Sequence, residues 1–155
     1  MKMLLFTSRF SNPELKTGKY TAVRISVGAP RWNVGYPIAG AIRPLMPTGI
    51  FGRPEYAQVE AFRRAYIEML NRAGTPAIRE VLRYFAAAGN PVVLLCFEDI
   101  RQSGNWCHRT MFADWWYKRT GEMIKELPDP TPPPKEAYSP PKADAAAENE
   151  QLSIF

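Results

Sequence analysis

The residues best suited to chemistry lie close together in the second half of the chain. Two cysteines, Cys96 and Cys107, are followed by the only histidine, His108, and by Arg109, and Glu98 stands shortly after the first cysteine. Thiolates and imidazoles act as nucleophiles and metal ligands, a carboxyl group transfers protons, and a guanidinium stabilises negative charge. The sequence therefore predicts a reactive centre in which a cysteine attacks or Glu98 acts as acid or base, with His108 and Arg109 stabilising charge.

The spacing of these residues allows three interpretations. A nucleophilic or redox cysteine assisted by His108 has the required residue types. A zinc site would use Cys96, Cys107 and His108, but neighbouring residues on a helix point about 100° apart and no fourth ligand of similar quality is evident. We therefore predict no cofactor and keep zinc as the less favoured alternative. The third interpretation is structural, because cysteine often serves as a small buried apolar residue.

A short strand and a helix are predicted to position this group. Residues 91–96 form a continuous apolar run, as expected for a central parallel strand covered on both faces. Residues 106–119 are predicted to be helical, with Asn105 as N-cap and Cys107 in the first turn, where the helix dipole favours an anion. Because ligands of open α/β sheets bind beyond the carboxyl ends of the strands, the site is expected there.

The rest of residues 1–127 alternates between strand and helix patterns. Strands are predicted at 2–7, 20–27 and 123–127, helices at 55–72 and 75–88, and a long loop at 28–54. This order predicts an α/β fold: a small three-layer Rossmann-like domain with a mostly parallel sheet.

The composition changes after Leu127. Seven of the fourteen residues from 128 to 141 are proline, and an alanine-rich acidic segment follows. Proline removes backbone donors, and a segment without apolar periodicity cannot offset its ordering entropy. Residues 128–150 are therefore predicted to be a disordered Pro-rich acidic linker at the start of a disordered C-terminal tail.

The charge is also unevenly distributed. Residues 1–127 carry 18 Lys+Arg against 10 Asp+Glu, whereas residues 128–155 carry 2 against 5. Arginine suits planar contacts to phosphate, so a nucleic acid or nucleotide is a predicted partner. A solvated basic surface is the alternative.

The sequence contains neither a secretory signal nor an apolar run of about 20 residues. Two cysteines do not make a disulfide framework, which favours a reducing compartment. The prediction is a cytoplasmic, nucleoid-associated protein with no membrane partner.

Several segments together resemble the domain of unknown function 488 family. The segment Leu94-Leu-Cys-Phe-Glu98, followed by Cys107-His-Arg-Thr-Met-Phe-Ala-Asp-Trp115, is similar to the signature of that family. Thr7-Ser-Arg-Phe-Ser-Asn12 resembles its opening strand and turn, and Arg24-Ile-Ser26 with Pro30-Arg-Trp32 resembles its second strand and loop. The resemblance covers most of residues 1–127. It implies that the reactive group gathers in one pocket with substrate-binding residues, namely Ser8, Asn12, Arg24, Ser26 and Arg31.

The last five residues form a separate motif. Gln151-Leu152-Ser153-Ile154-Phe155 is similar to the peptide by which replication and repair proteins bind the bacterial sliding clamp. The resemblance implies that Leu152, Ile154 and Phe155 fill an apolar groove while Gln151 anchors the peptide by hydrogen bonds. Without a partner, three large apolar residues at the end of an acidic tail would be exposed to solvent and would favour aggregation.

These features predict a DNA-associated protein recruited to the sliding clamp, acting as an enzyme on DNA, a base or a nucleotide. One alternative is a non-enzymatic clamp-binding regulator, such as a phage or mobile-element protein. A second alternative is a small-molecule or thiol-redox enzyme for which the tail is incidental.

Overall fold

The computed structural model describes residues 2–133 and contains five strands and three α-helices within them. The strands are β1 (Leu5–Arg9), β2 (Thr21–Arg24), β3 (Gly40–Ala41), β4 (Val92–Cys96) and β5 (Lys125–Glu126). The helices are α1 (Val59–Ala73), α2 (Thr75–Ala86) and α3 (His108–Thr120). The predicted α/β class is confirmed.

The five strands form one sheet in the order β3-β2-β4-β1-β5, and every pair is parallel. Strand β4 lies at the centre with all five residues buried, as its continuous apolar run predicts. It pairs with β1 from Leu5↔Val92 to Arg9↔Cys96, so the carboxyl ends of these two strands lie side by side.

The two faces of the sheet are covered differently. Val92 and Leu94 of β4 belong to the main core, to which all three helices contribute buried residues. Val93 and Leu95 point to the other face, which is covered by Phe10 and Leu15 and by half-buried residues of the loop after β2. The layer on that second face therefore consists of loop and a short 3-10 turn at Pro13–Thr17 rather than of helices.

The boundaries of several elements differ from the expected ones. The predicted loop at 28–54 contributes strand β3 and a 3-10 turn at Arg43–Leu45. Helix α1 begins at Val59, because residues 54–56 form a separate 3-10 turn that starts with a proline.

Ordered contacts also continue beyond the predicted domain boundary at Leu127. Asp129 Oδ2 accepts a hydrogen bond of 2.7 Å from Arg9 Nε, and Thr131 O accepts one of 2.7 Å from Arg101. Residues 128–131 therefore pack on the domain. The remainder of the predicted linker, from residue 134 onward, and the predicted clamp-binding peptide at 151–155 lie outside the described residues.

Within the described part of the chain, no helix combines the length and apolar character needed to cross a bilayer.

Candidate functional site

Cys96 lies where the central strand ends, on the helix-covered face of the sheet. Side chains alternate between the two faces of a strand, so Cys96 follows Val92 and Leu94 onto that face. Its side chain meets Cys107, and both residues are fully buried. The expectation that the chemistry lies beyond the carboxyl ends of the strands therefore matches where these residues converge.

Cys107 occupies the N-cap position of α3 rather than its first turn. The helix begins at His108, and the predicted cap, Asn105, instead donates from Nδ2 to Asp99 O at 3.1 Å. Cys107 has extended backbone angles (φ −146°, ψ 148°), whereas His108 is helical. The side chains of Cys107 and His108 therefore do not diverge as those of two neighbours within a helix do. The expectation that their directions disfavour binding of one ion was wrong.

His108 is fixed by a hydrogen bond to the neighbouring strand segment. Its Nε2 lies 2.7 Å from Ile25 O. Because a carbonyl oxygen can only accept, Nε2 carries a proton, an assignment made from the hydrogen-bond network. The other ring nitrogen, Nδ1, lies 3.6 Å from Cys96 Sγ and 3.8 Å from Cys107 Sγ. The imidazole therefore presents Nδ1 to both sulphur atoms.

Arg109 is a fully buried cation held by one carboxylate. Its Nε and Nη2 donate to the two oxygens of Glu126 at 3.0 and 2.7 Å, and Thr7 Oγ1 donates to the same carboxylate at 2.7 Å. Arg109 Nη1 has no hydrogen-bond partner among residues 2–133. The positive charge of Arg109 acts on both cysteines and favours their ionised forms.

The pKa values of the two cysteines are shifted in opposite directions. Burial raises the pKa of Cys96, and the neighbouring Cys107 raises it further. Burial also opposes ionisation of Cys107, but the thiol of Cys96 and the charge of Arg109 together hold its pKa well below the usual range. Cys107 is therefore the sulphur more easily ionised.

Glu98 follows Cys96 by two residues in the chain and is buried. Burial raises its pKa to about 7, with a further increase from the negative charge of Cys107 that Arg109 opposes. A carboxyl group with such a pKa exchanges protons near neutral pH, which is the property expected of a general acid or base.

The cysteines are enclosed by apolar side chains. Phe51, Phe97, Ile100 and Trp106 pack against them, and the ring of Tyr66 meets that of His108 edge-on at 5.4 Å. Two surface cavities of the described chain lie elsewhere, one at the amino ends of β1 and β4 and one beside the start of α2.

Of the five predicted substrate-binding residues, Ser8 and Asn12 lie buried near the end of β1. Ser8 donates from its hydroxyl to Arg9 O at 3.0 Å. Asn12 Nδ2 donates to Ser8 Oγ and to Pro128 O, both at 3.2 Å, and its Oδ1 accepts from Glu14 N. These polar groups hold a turn and the 128–131 segment.

The other three predicted residues follow β2. Arg24 donates to Ser26 O and Val27 O at 2.6 and 2.8 Å, and the buried Ser26 hydroxyl donates to Gly28 O at 2.6 Å. Arg31 is exposed. Arg24 and Ser26 therefore shape the loop from Ile25 onward, and this loop supplies the carbonyl that fixes His108.

Two important members of the site were not anticipated from sequence. Glu126 lies on β5 and reaches Arg109 because both adjoin β1, and Ile25 contributes only its carbonyl oxygen. Neither has a local sequence signal, since a backbone carbonyl is common to all residues and Glu126 resembles any charged residue of a short edge strand.

The cluster Cys96, Cys107 and His108 could hold a metal ion. One ligand atom from each residue lies within 4.8 Å of the others, and all three residues are buried.

Comparison of the chain with protein-family models, with curated proteins and with solved structures gives no match.

Proposed function

We propose that the protein is an enzyme that acts on DNA, a base or a nucleotide and is brought to its substrate by the sliding clamp. The observation that supports this most directly is the convergence of Cys96, Cys107 and His108 beside Glu98 and Arg109. Apolar side chains would fill the same space at a lower cost in free energy, because removing charged groups from water is unfavourable. Such a concentration of reactive side chains is typical of catalytic centres.

Each group has a chemical part in this proposal. The two cysteines supply the reactive sulphur atoms and His108 orients them. Glu98 transfers a proton to or from the substrate, because it is the carboxyl group nearest to Cys96 along the chain and burial raises its pKa to about 7. Arg109 Nη1 offers its free donor to negative charge that develops on the substrate.

The proposed substrate class follows from the charge of the domain. Basic side chains outnumber acidic ones in residues 1–127, and Arg31, Arg43 and Arg53 are exposed on the segment between β2 and α1. Exposed guanidinium groups bind phosphate oxygens of any sequence and give affinity that falls with salt. The similarity to the domain of unknown function 488 family is part of the proposal but names no reaction.

The proposed partner follows from the last five residues, which resemble a clamp-binding peptide. A terminal peptide on a linker raises the local concentration of the attached domain on clamp-loaded DNA. This is also the reason for proposing a nucleoid-associated protein.

Recruitment is tested by measuring binding of the intact chain to a purified bacterial sliding clamp, for example by calorimetry. The variant Leu152→Ala/Phe155→Ala should lose binding, and Lys142→Ala, outside the peptide, should keep it. Equal binding by both variants would contradict the proposed recruitment.

Catalysis is tested on clamp-loaded DNA and on free nucleotides, with products followed by mass spectrometry. The variant Glu98→Gln should lose turnover. The matched control is Glu80→Gln, at an exposed position of α2. If Glu98→Gln turns over every substrate that the native chain does, the assignment of Glu98 is wrong.

A second candidate is a non-enzymatic clamp-binding regulator, and the enclosure of the cysteines by aromatic side chains favours it. In that case residues 140–155 fused to an inert carrier should reproduce the effect of the intact chain on clamp-dependent DNA synthesis.

A further inference from the structure

We infer that Cys96, Cys107 and His108 form a zinc-binding site, with Cys96 Sγ, Cys107 Sγ and His108 Nδ1 as its protein ligands. This inference deepens the proposed function, because it gives the two reactive sulphur atoms a specific part. Zinc binding itself requires neither DNA nor the clamp, so it can be measured independently of them.

The distances from His108 Nδ1 to the two sulphur atoms match tetrahedral zinc. Zinc lies about 2.3 Å from a thiolate sulphur and about 2.0–2.1 Å from an imidazole nitrogen. A sulphur and a nitrogen ligand at the tetrahedral angle are separated by about 3.6 Å, from the same bond lengths. The observed separations from His108 Nδ1 are 3.6 Å to Cys96 Sγ and 3.8 Å to Cys107 Sγ. The two sulphur atoms lie within 4.8 Å of each other, so the three atoms are close enough together to bind one ion.

The histidine is oriented as a ligand should be. Its Nε2–H donates to Ile25 O at 2.7 Å, which leaves the Nδ1 lone pair directed at the space between the sulphur atoms. Metal-bound histidines usually donate their second N–H to a carbonyl or carboxylate, which fixes the ring and raises its basicity. Ile25 O plays that part here, and Arg24 and Ser26 hold the loop that presents it.

The surrounding charges also suit a zinc ion with two thiolates. The ion and two thiolates carry no net charge, so they can be buried without an uncompensated charge. The charge of Arg109 is already balanced by Glu126, so it adds no uncompensated charge beside the ion. Sulphur and imidazole ligands favour zinc over the hard cations magnesium and calcium, which prefer oxygen.

Three protein ligands leave a fourth position on a tetrahedral ion. Among residues 2–133, the carboxylate of Glu98 does not belong to the set of mutually close ligand atoms. Catalytic zinc sites characteristically combine three protein ligands with one exchangeable position, whereas structural sites use four. Zinc here would thus supply Lewis acidity at its fourth position, and the sulphur atoms would serve as ligands rather than as attacking groups.

The first experiment measures metal in the full chain, purified from zinc-supplemented medium without chelators or affinity metals. Inductively coupled plasma mass spectrometry should find about one zinc ion per chain. Replacement by Co²⁺ should give a sulphur-to-cobalt charge-transfer absorption and the intense visible bands of tetrahedral cobalt. Less than about a tenth of this zinc content, together with no charge-transfer absorption, would overturn the inference.

Variants then identify the ligands. Cys107→Ser and His108→Ala should each weaken zinc binding by at least about tenfold in competition with a chromophoric chelator. Glu98→Gln should retain the zinc and the cobalt spectrum. If the ligand variants do not fold, the cobalt spectrum of the native chain still decides the question.

Failure of this inference can be told apart from failure of the proposed function. A chain that binds neither zinc nor cobalt but turns over substrate would overturn the zinc site and leave the proposed enzyme intact. A zinc-loaded chain without turnover on any tested substrate would overturn the proposed enzyme and leave the zinc site intact.

Discussion

The ion pair between Arg109 and Glu126 gives a prediction whose magnitude follows from the structure. Arg109 is fully buried, and its pairing with Glu126 joins Nη2 and Oε2 at 2.7 Å. Two unit charges about 4 Å apart attract by about 4 kcal/mol at an effective dielectric constant of about 20. The substitution Glu126→Gln removes the charge but keeps the shape and one neutral hydrogen bond, worth about 1 kcal/mol. We therefore expect Glu126→Gln to lower the free energy of unfolding by about 3 kcal/mol.

The matched control is the same substitution in an exposed pair. Glu68 and Arg72 lie one turn apart on α1 with a shortest N···O distance of 3.4 Å, and both side chains are about two-thirds exposed to solvent. Glu68→Gln should cost less than about 0.5 kcal/mol, because exposed ion pairs contribute little. Urea unfolding measures both changes through the fluorescence of the buried Trp115 and Trp116.

A double-mutant cycle separates the ion pair from other effects of the substitution. Arg109→Met removes the buried cation that pairs with Glu126, so Glu126→Gln should cost less than about 1 kcal/mol in that background. Equal costs of Glu126→Gln in the two backgrounds would refute this reasoning, as would a cost in the native chain no larger than that of Glu68→Gln.

Three further predictions concern stability. Burial opposes ionisation of Asp129, but hydrogen bonds from Arg9 and Thr131 lower its pKa to about 2. The contribution of the Asp129 carboxylate to the free energy of unfolding is therefore present above about pH 4 and is lost as the pH falls through about 2. After allowance for solvent screening, Asp129→Asn should cost about 1 kcal/mol at pH 7 and nothing at pH 2 in urea titrations, and a constant difference would exclude this linkage. The buried Tyr66 hydroxyl donates to Leu45 O at 2.7 Å, so Tyr66→Phe should lower the free energy of unfolding by about 1–2 kcal/mol. Tyr84 is exposed, and Tyr84→Phe should give no measurable change in thermal unfolding. Leu82→Ala should cost about 2–5 kcal/mol in urea unfolding, because the side chain is fully buried under α2, and a smaller loss would mean that the core closes around the gap.

The fold class could be predicted because its signals are local. The unbroken apolar run of β4 and the helical spacing of α1 and α2 depend on residues close together in the chain, and their types and order match the prediction. The exact ends were less predictable. A proline-led 3-10 turn delays the start of α1, and Cys107 takes the cap position that Asn105 was expected to fill.

The residue types of the candidate site were also evident from the sequence, since cysteine, histidine, arginine and glutamate are distinctive within a short stretch. The relative positions of their side chains were not evident. Whether Cys107 and His108 can share an ion depends on the backbone angles at one residue, and those angles are set by where the helix begins. A helix start is decided by competing caps and turns that differ little in free energy, so neighbouring choices cannot be separated from sequence.

Only the tertiary structure decided which groups complete the site. Glu126 lies beyond the end of α3, and Ile25 lies far earlier in the chain. Glu126 nevertheless accepts a hydrogen bond from Arg109, and Ile25 O accepts one from His108. The parallel order β2-β4-β1-β5 gathers the carboxyl ends of the central strands at one edge and so makes these contacts. Sequence determines the residue types and the local periodicity, whereas the meeting of distant residues follows from strand order, which is fixed by the packing of the whole domain.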